Sequence, residues 1–121
     1  QFEWDPKKAK ENLKKRNISF DEAVTSFYDP LSATFDDPDH STTEQRFITI
    51  AFFVQEYLLV VAHAERGKIT RIIIARLATV HEGRNMKDRK ERNETDNLRS
   101  EYDFDYPKAV RGKYYQRLIE E

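Results

Sequence analysis

The chain has 121 residues, of which 36% are charged, 38% hydrophobic and 12% aromatic, and its formal net charge is −1. That length suits one modest core rather than two ordinary domains, and the aromatic share argues against full disorder. The absence of cysteine excludes disulfides, thiolate metal sites and a cysteine nucleophile. Up to Met86 there are 12 basic and 13 acidic residues, and 9 of each after it, so any nucleic-acid contact must come from a local basic patch. The longest apolar runs, such as Leu58 to Ala62, and shorter ones such as Ile72 to Ala75 are far too short to cross a bilayer. No signal peptide is visible, and a cytoplasmic location with no membrane partner is the expectation.

Phe2-Glu3-Trp4 reads as a short strand, and Asp5-Pro6 then supplies an N-cap and a first-turn proline for a helix running to about Arg16. Ala9 and Leu13 are its expected inner face. Ser19-Phe20-Asp21-Glu22 fits a capping box and opens a second helix with Phe20, Ala23, Val24 and Phe27 on one side. Asp29-Pro30 ends it. Strands are expected at Leu31 to Phe35, Arg46 to Phe53, Leu58 to His63 and Ile69 to Arg76, with a polar turn at Asp36 to His40 and a tight one at Arg66-Gly67-Lys68. Thr79 to Glu82 is another capping-box pattern. From Asn85 to Asn97 the chain is almost entirely polar and reads as a linker, followed by the aromatic-acidic stretch Tyr102 to Pro107. Lys108 to Glu121 has a helical composition interrupted by Gly112. The order β-α-α-β-β-β-β defines an α+β class, with two N-terminal helices packed on an antiparallel sheet and an extended or helical C-terminal appendix.

The opening Phe2-Glu3-Trp4-Asp5-Pro6-Lys7-Lys8-Ala9, with Asn12-Leu13, Ile18-Ser19-Phe20 and Glu22-Ala23, resembles the start of the BrnT toxins. Asp29-Pro30-Leu31, Asp37-Pro38-Asp39-His40, Glu44 and Arg46-Phe47-Ile48 continue the likeness, as do Leu59 to His63, Glu65-Arg66-Gly67, Arg71-Ile72-Ile73, Ala75-Arg76 and Ala78-Thr79. The resemblance covers roughly residues 1 to 82 and implies a RelE-like fold, metal-independent RNA cleavage that inhibits translation, and an antitoxin partner. The RNA is mRNA or ribosome-associated, and no cofactor is implied. Residues 1–85 form the toxin-like domain in this reading. Residues 86–121 form a linker and a segment whose Leu98 to Phe104 and Lys108 to Tyr115 resemble the start of small antitoxins, with Met86 near a junction.

Cutting RNA without a metal needs a base for the 2′-hydroxyl proton, cations for the phosphorane and an acid for the leaving oxygen. His63, matching a family position at the end of an apolar strand, is the candidate acid or base, although a hydrogen-bonded structural histidine fits the same place. Arg71 and Arg76 are the candidate catalytic cations. Strict alternation sets them on opposite faces of their strand, with Arg76 nearer its end and better placed for phosphate. Lys15 and Arg16, at the basic end of the first helix, and Arg46 are candidate RNA contacts, although Lys14 to Arg16 also complement the helix dipole. Asp36, Asp37, Asp39 and His40 are clustered in sequence as metal ligands might be; a polar loop tip explains them equally well, and no metal site is expected. Glu82 is explained by its capping box. Two positions depart from the BrnT pattern: Arg16-Asn17 stands where many relatives have His-Gly, and Ile74 where many have Ser. Arginine is no base at neutral pH and isoleucine makes no hydrogen bond, so the alternative to a working nuclease is an inactive toxin-like module bound to or neutralised by an antitoxin.

Tyr102, Phe104, Tyr106 and Tyr114 have no partner within their own segment and are the expected anchors of a docked tail, with Asp103 and Asp105 available to meet a basic groove. Docking in the same chain and exchange with a second copy in a homodimer both remain open.

Overall fold

The computed structural model describes residues 1–37, 45–52, 58–79, 82, 102 and 109–114. Among them run β1 (Phe2–Trp4), α1 (Pro6–Arg16), α2 (Phe20–Ser26), β2 (Ala33–Asp36), β3 (Arg46–Phe52), β4 (Leu58–Arg66), β5 (Ile69–Leu77) and β6 (Val110–Arg111). The two helices and five strands expected between Phe2 and Arg76 are present in the expected order, in an α+β architecture, and β6 adds a strand that was not expected.

Local chemistry accounts for the helix ends. The Asp5 side chain accepts the Lys7 amide at 3.0 Å with Pro6 in the first turn, and Asn17 closes α1 at φ 59°, its amide bonding to the Leu13 carbonyl at 2.9 Å. Asparagine tolerates this left-handed conformation, so the departure from glycine at position 17 fits the backbone. Ser19 and Glu22 exchange side-chain bonds with each other's amides, the expected capping box. The inner face of α1 differs from expectation. Leu13 is exposed and Asn12 is buried, because Asn12 donates to the Ile18 carbonyl at 2.9 Å and accepts the Ala75 amide at 3.1 Å. A polar side chain that closes two backbone groups outweighs the apolar one beside it.

The strands form one sheet in the order β1-β5-β4-β3-β2-β6. The run β2-β3-β4-β5 is the expected antiparallel meander, with Gly67 at φ 62° in the β4–β5 turn. The sheet is mixed rather than antiparallel, because β1 lies parallel on the outer edge of β5. β1 is not tied to β5 by a hairpin, so no tight turn dictates its direction.

A register shift between Ala62 and His63 inserts a bulge: Ala62 faces Ile74 and His63 faces Ile72, leaving Ile73 as the extra residue of β5. It re-phases the strand. Ile72, Ala75 and Leu77 join the core under the helices, with Phe20, Ala23, Phe27, Leu59 and Val61, whereas Ile73 and Ile74 both pack on the opposite face. That second core holds Ala33, Ile48, Ile50, Val60, Ala62, Ala78 and Tyr102.

In the last described segment Val110 and Arg111 are extended, whereas Lys113 and Tyr114, beyond the turn at Gly112, are helical, in keeping with a helical composition interrupted by that glycine. Val110 and Arg111 pair antiparallel with Thr34 and Ala33 at the sheet edge, and the Gly112 amide donates to the Ser32 carbonyl at 2.8 Å. Gly112 has φ +60°, and a Cβ there would lie 2.6 Å from the Pro30 carbonyl oxygen, so the chain turns where only glycine fits. Pairing with β2 decides the conformation of Val110 and Arg111. Tyr102 lies in the core opposite the helices and Tyr114 in the core beneath them, so this part of the chain contributes to both faces. Phe104, Tyr106, Met86 and the predicted linker fall outside the described residues.

Candidate functional site: a buried histidine and its cover

β4 alternates so that Leu59, Val61, His63 and Glu65 point to the helix side. His63 is fully buried. Its ring meets Phe27 of α2 edge-on at 5.0 Å, Phe47 of β3 in a stack at 5.8 Å and Tyr114 edge-on at 5.3 Å between centroids. Nε2 lies 2.8 Å from the Thr49 hydroxyl, itself 2.8 Å from the Thr34 hydroxyl across β3 and β2. Nδ1 lies 3.5 Å from the Tyr114 oxygen, which donates its proton to Glu65 Oε2 at 2.8 Å.

These bonds assign the tautomer. The phenol proton goes to a carboxylate that can only accept, so the Tyr114 oxygen receives Nδ1–H and Nε2 receives the Thr49 hydroxyl proton. The imidazole is neutral. Burial, and after it the Lys113 ammonium, push its pKa from the ordinary 6.5 down to about 3. Lys113 Nζ sits 3.9 Å from Glu65 Oε2 and 3.9 Å above the Phe47 ring. Glu65 and Lys113 are 15% and 21% exposed, which puts this end of the cluster at the rim.

The candidate arginines do not join His63. Arg76 is buried on the opposite face. Its Nη1 and Nη2 reach Glu82 Oε1 and Oε2, each at 2.8 Å, and Glu82 also accepts the amides of Thr79 and Tyr102 at 2.8 Å. The Glu82 amide in turn bonds to Thr79 Oγ1 at 3.1 Å, so the capping-box bonds are present, with the carboxylate serving a buried ion pair as well. Arg71 bonds to Glu3 at 3.0 Å, a pair 33% and 39% exposed. The expectation that Arg71 and Arg76 lie on opposite faces is corrected: the Ile73 bulge adds a residue between them and turns both away from the helices. Alternation along β3 places Arg46 on that same face. Register sets Arg46 and Arg71 on either side of Ala64, one residue beyond the Phe47–His63 row. Lys15 is exposed and Arg16 half-buried at the end of α1, and Ile74 packs in the second core.

Of the proposed tail anchors, Tyr102 and Tyr114 are buried in this chain. Glu65, Thr49, Thr34, Phe47 and Lys113 escaped the sequence reading. Glu65 alone carried a usable signal, since alternation puts it two residues from His63 on the same side. Of the acidic turn, Asp36 and Asp37 are described and Asp39 and His40 are not. No described group of three or more His, Asp or Glu residues is arranged to hold a metal ion, and no helix among the described residues is long and apolar enough to cross a membrane.

Fold and site together define a one-sheet α+β domain with a histidine–carboxylate cluster set under its helices and capped by a C-terminal tyrosine. Residues 4–82 match the family described as "Ribonuclease toxin, BrnT, of type II toxin-antitoxin system", and the chain belongs to that family. Membership implies an RNA substrate and an antitoxin partner. The match ends before Tyr102, Lys113 and Tyr114. No curated protein matches the chain.

Proposed function

We propose that the protein is a metal-independent, RelE-like endoribonuclease of the cytoplasm that inhibits translation by cutting mRNA or ribosome-associated RNA, and that its own C-terminal segment restrains it. The observation that carries this reading is the position of Tyr114: it covers His63 and bonds to Glu65, the two groups best suited to move protons. In the released state His63 takes the 2′-hydroxyl proton, the 2′-oxygen attacks the adjacent phosphorus, and the 5′-oxygen leaves with a proton returned by the His63–Glu65 pair. Lys15 and Arg16 at the basic end of α1 are the cations proposed to meet phosphate; Arg46 and Arg71 lie in the next row but on the sheet face opposite His63. Arg76, engaged by Glu82, is assigned to holding the fold. The antitoxin-like resemblance of residues 98–115 supports the restraint, since an antitoxin's task is to occupy its toxin.

A specific observation favours a second reading. Arg71 and Arg76 already face carboxylates of their own chain and Ile74 is packed in a core, as in an inactive interaction module. One experiment separates the two. The full chain is compared with Gly112→Val, whose side chain collides with Pro30 and frees the tail without removing Tyr102 from its core. Both are incubated with a long unstructured RNA in EDTA. Cleavage that rises at least about ten-fold on Gly112→Val and vanishes when His63→Ala is added supports the nuclease. No cleavage by a folded Gly112→Val chain sinks it in favour of the inactive module.

A further inference from the structure

We propose that Lys113 and Tyr114 disarm His63 chemically as well as covering it: docked, they engage Glu65, and on release Glu65 becomes the acidic neighbour that lets His63 take a proton. This rests on the reading that the 109–114 segment restrains a nuclease centred on His63.

The groups that face His63 come from four directions. β3 contributes Thr49 and Phe47, α2 contributes Phe27, the C-terminal segment contributes Lys113 and Tyr114, and β4 itself contributes Glu65. Lys113 and Glu65 are the charges of that set. In the docked state burial and the Lys113 ammonium oppose an imidazolium. Three aromatic rings keep water off, the Lys113 ammonium repels a second positive charge, and the Glu65 carboxylate is committed to the Tyr114 hydroxyl at 2.8 Å and to Lys113 at 3.9 Å. His63 is thereby held at a pKa of about 3, too weak a base to take a proton from RNA near neutrality.

Release reverses each influence at once. Losing Tyr114 opens one side of the ring to water, losing Lys113 removes the repulsion, and Glu65, on the same side of β4, no longer has Lys113 and Tyr114 on its carboxylate. A histidine next to a carboxylate holds its proton at or above the ordinary value of about 6.5, the range in which one group serves as both acid and base. The docking is also weak enough to reverse. β6 is only two residues long, and the turn that carries Lys113 and Tyr114 passes so close to Pro30 that no side chain fits at Gly112. The Lys113–Glu65 pair lies at the rim, within reach of solvent and of a competing partner.

The test is a proton NMR titration of the three histidines in the full chain, with the His63 signal assigned by its loss in His63→Gln. In the parent chain His63 shows no midpoint between about pH 5 and 8, and in Gly112→Val it shows one near or above 6.5. Adding Glu65→Gln to Gly112→Val lowers that midpoint by about one unit, roughly a ten-fold loss of proton affinity. The proposal is overturned if His63 stays silent in Gly112→Val while the amides of residues 110–112 exchange freely, or if Glu65→Gln leaves the midpoint where it was. Should Gly112→Val fail to fold, Lys113→Gln decides: it raises the low His63 midpoint of the docked chain by about half a unit or more, and an unchanged midpoint overturns the proposal. A His63 that regains its titration in Gly112→Val while RNA stays uncut upholds the latch and removes the nuclease reading.

Discussion

Under the helices the described polar chain is neutral: Thr34, Thr49 and His63 pass hydrogen bonds across three strands, and the charged Glu65 and Lys113 lie at the rim. On the other face the interior is charged, with Arg76 and Glu82 paired in a fork and both essentially removed from water. The difference lies in what each arrangement can respond to. A bidentate ion pair that also takes the Thr79 and Tyr102 amides is fixed, because removing either partner strands a buried charge. A neutral histidine ringed by aromatics can change state whenever one of its covers leaves. Structure is held on one face, and switchable chemistry is kept on the other.

The sharpest way to break this contrast is at the charged pair. Glu82→Ala takes the carboxylate from the buried Arg76 guanidinium and is expected to cost about 3–5 kcal/mol in urea unfolding, much of it recovered by Arg76→Met in the same chain. A cost below about 1 kcal/mol would mean that the far face does not depend on the pair. The neutral face should reveal itself through pH. The folded-state pKa of His63, about 3, lies below its unfolded value of 6.5, so the unfolded chain binds a proton that the folded chain refuses. That difference is absent above pH 6.5 and grows as pH falls toward 3. The stability of the parent minus that of His63→Gln should fall by about 2–3 kcal/mol between about pH 6.5 and 4.5, measured by denaturant unfolding at each pH. A flat difference would sink the buried-neutral assignment. Thr49→Val, which deletes the middle of the hydroxyl chain, is expected to cost about 1–2 kcal/mol at pH 7. The exposed Glu3–Arg71 pair supplies the lower bound: Arg71→Gln should change stability by less than about 1 kcal/mol, and added salt should shrink even that.

Much of the fold could be read from residues alone. Asp5-Pro6 and Ser19 to Glu22 announced two helices because caps are local chemistry, and the meander followed from short polar turns between apolar runs. Less of the site was legible. His63 could be singled out and Glu65 could have been, since both sit on one strand. Thr49, Phe47 and Lys113 reach His63 only across strands and from the far end of the chain, which no spacing within one segment reports. The bulge at Ile73 is a further case. One inserted residue turned Arg71 to the face that Arg76 occupies, and strict alternation had separated them.

The C-terminal segment marks the boundary most clearly. Its composition set out the anchors, Tyr102 and Tyr114 among them, because aromatic side chains without a local core need a surface. Sequence by itself determined the family, the order of elements and the need for such a surface, since all three depend on neighbours a few residues apart. Tertiary structure alone decided that Val110–Arg111 forms an edge strand, that Gly112 turns against Pro30 and that Tyr114 ends on His63. Those outcomes depend on which unpaired strand edge and which apolar hollow the rest of the fold leaves open, and both exist only once the sheet has formed.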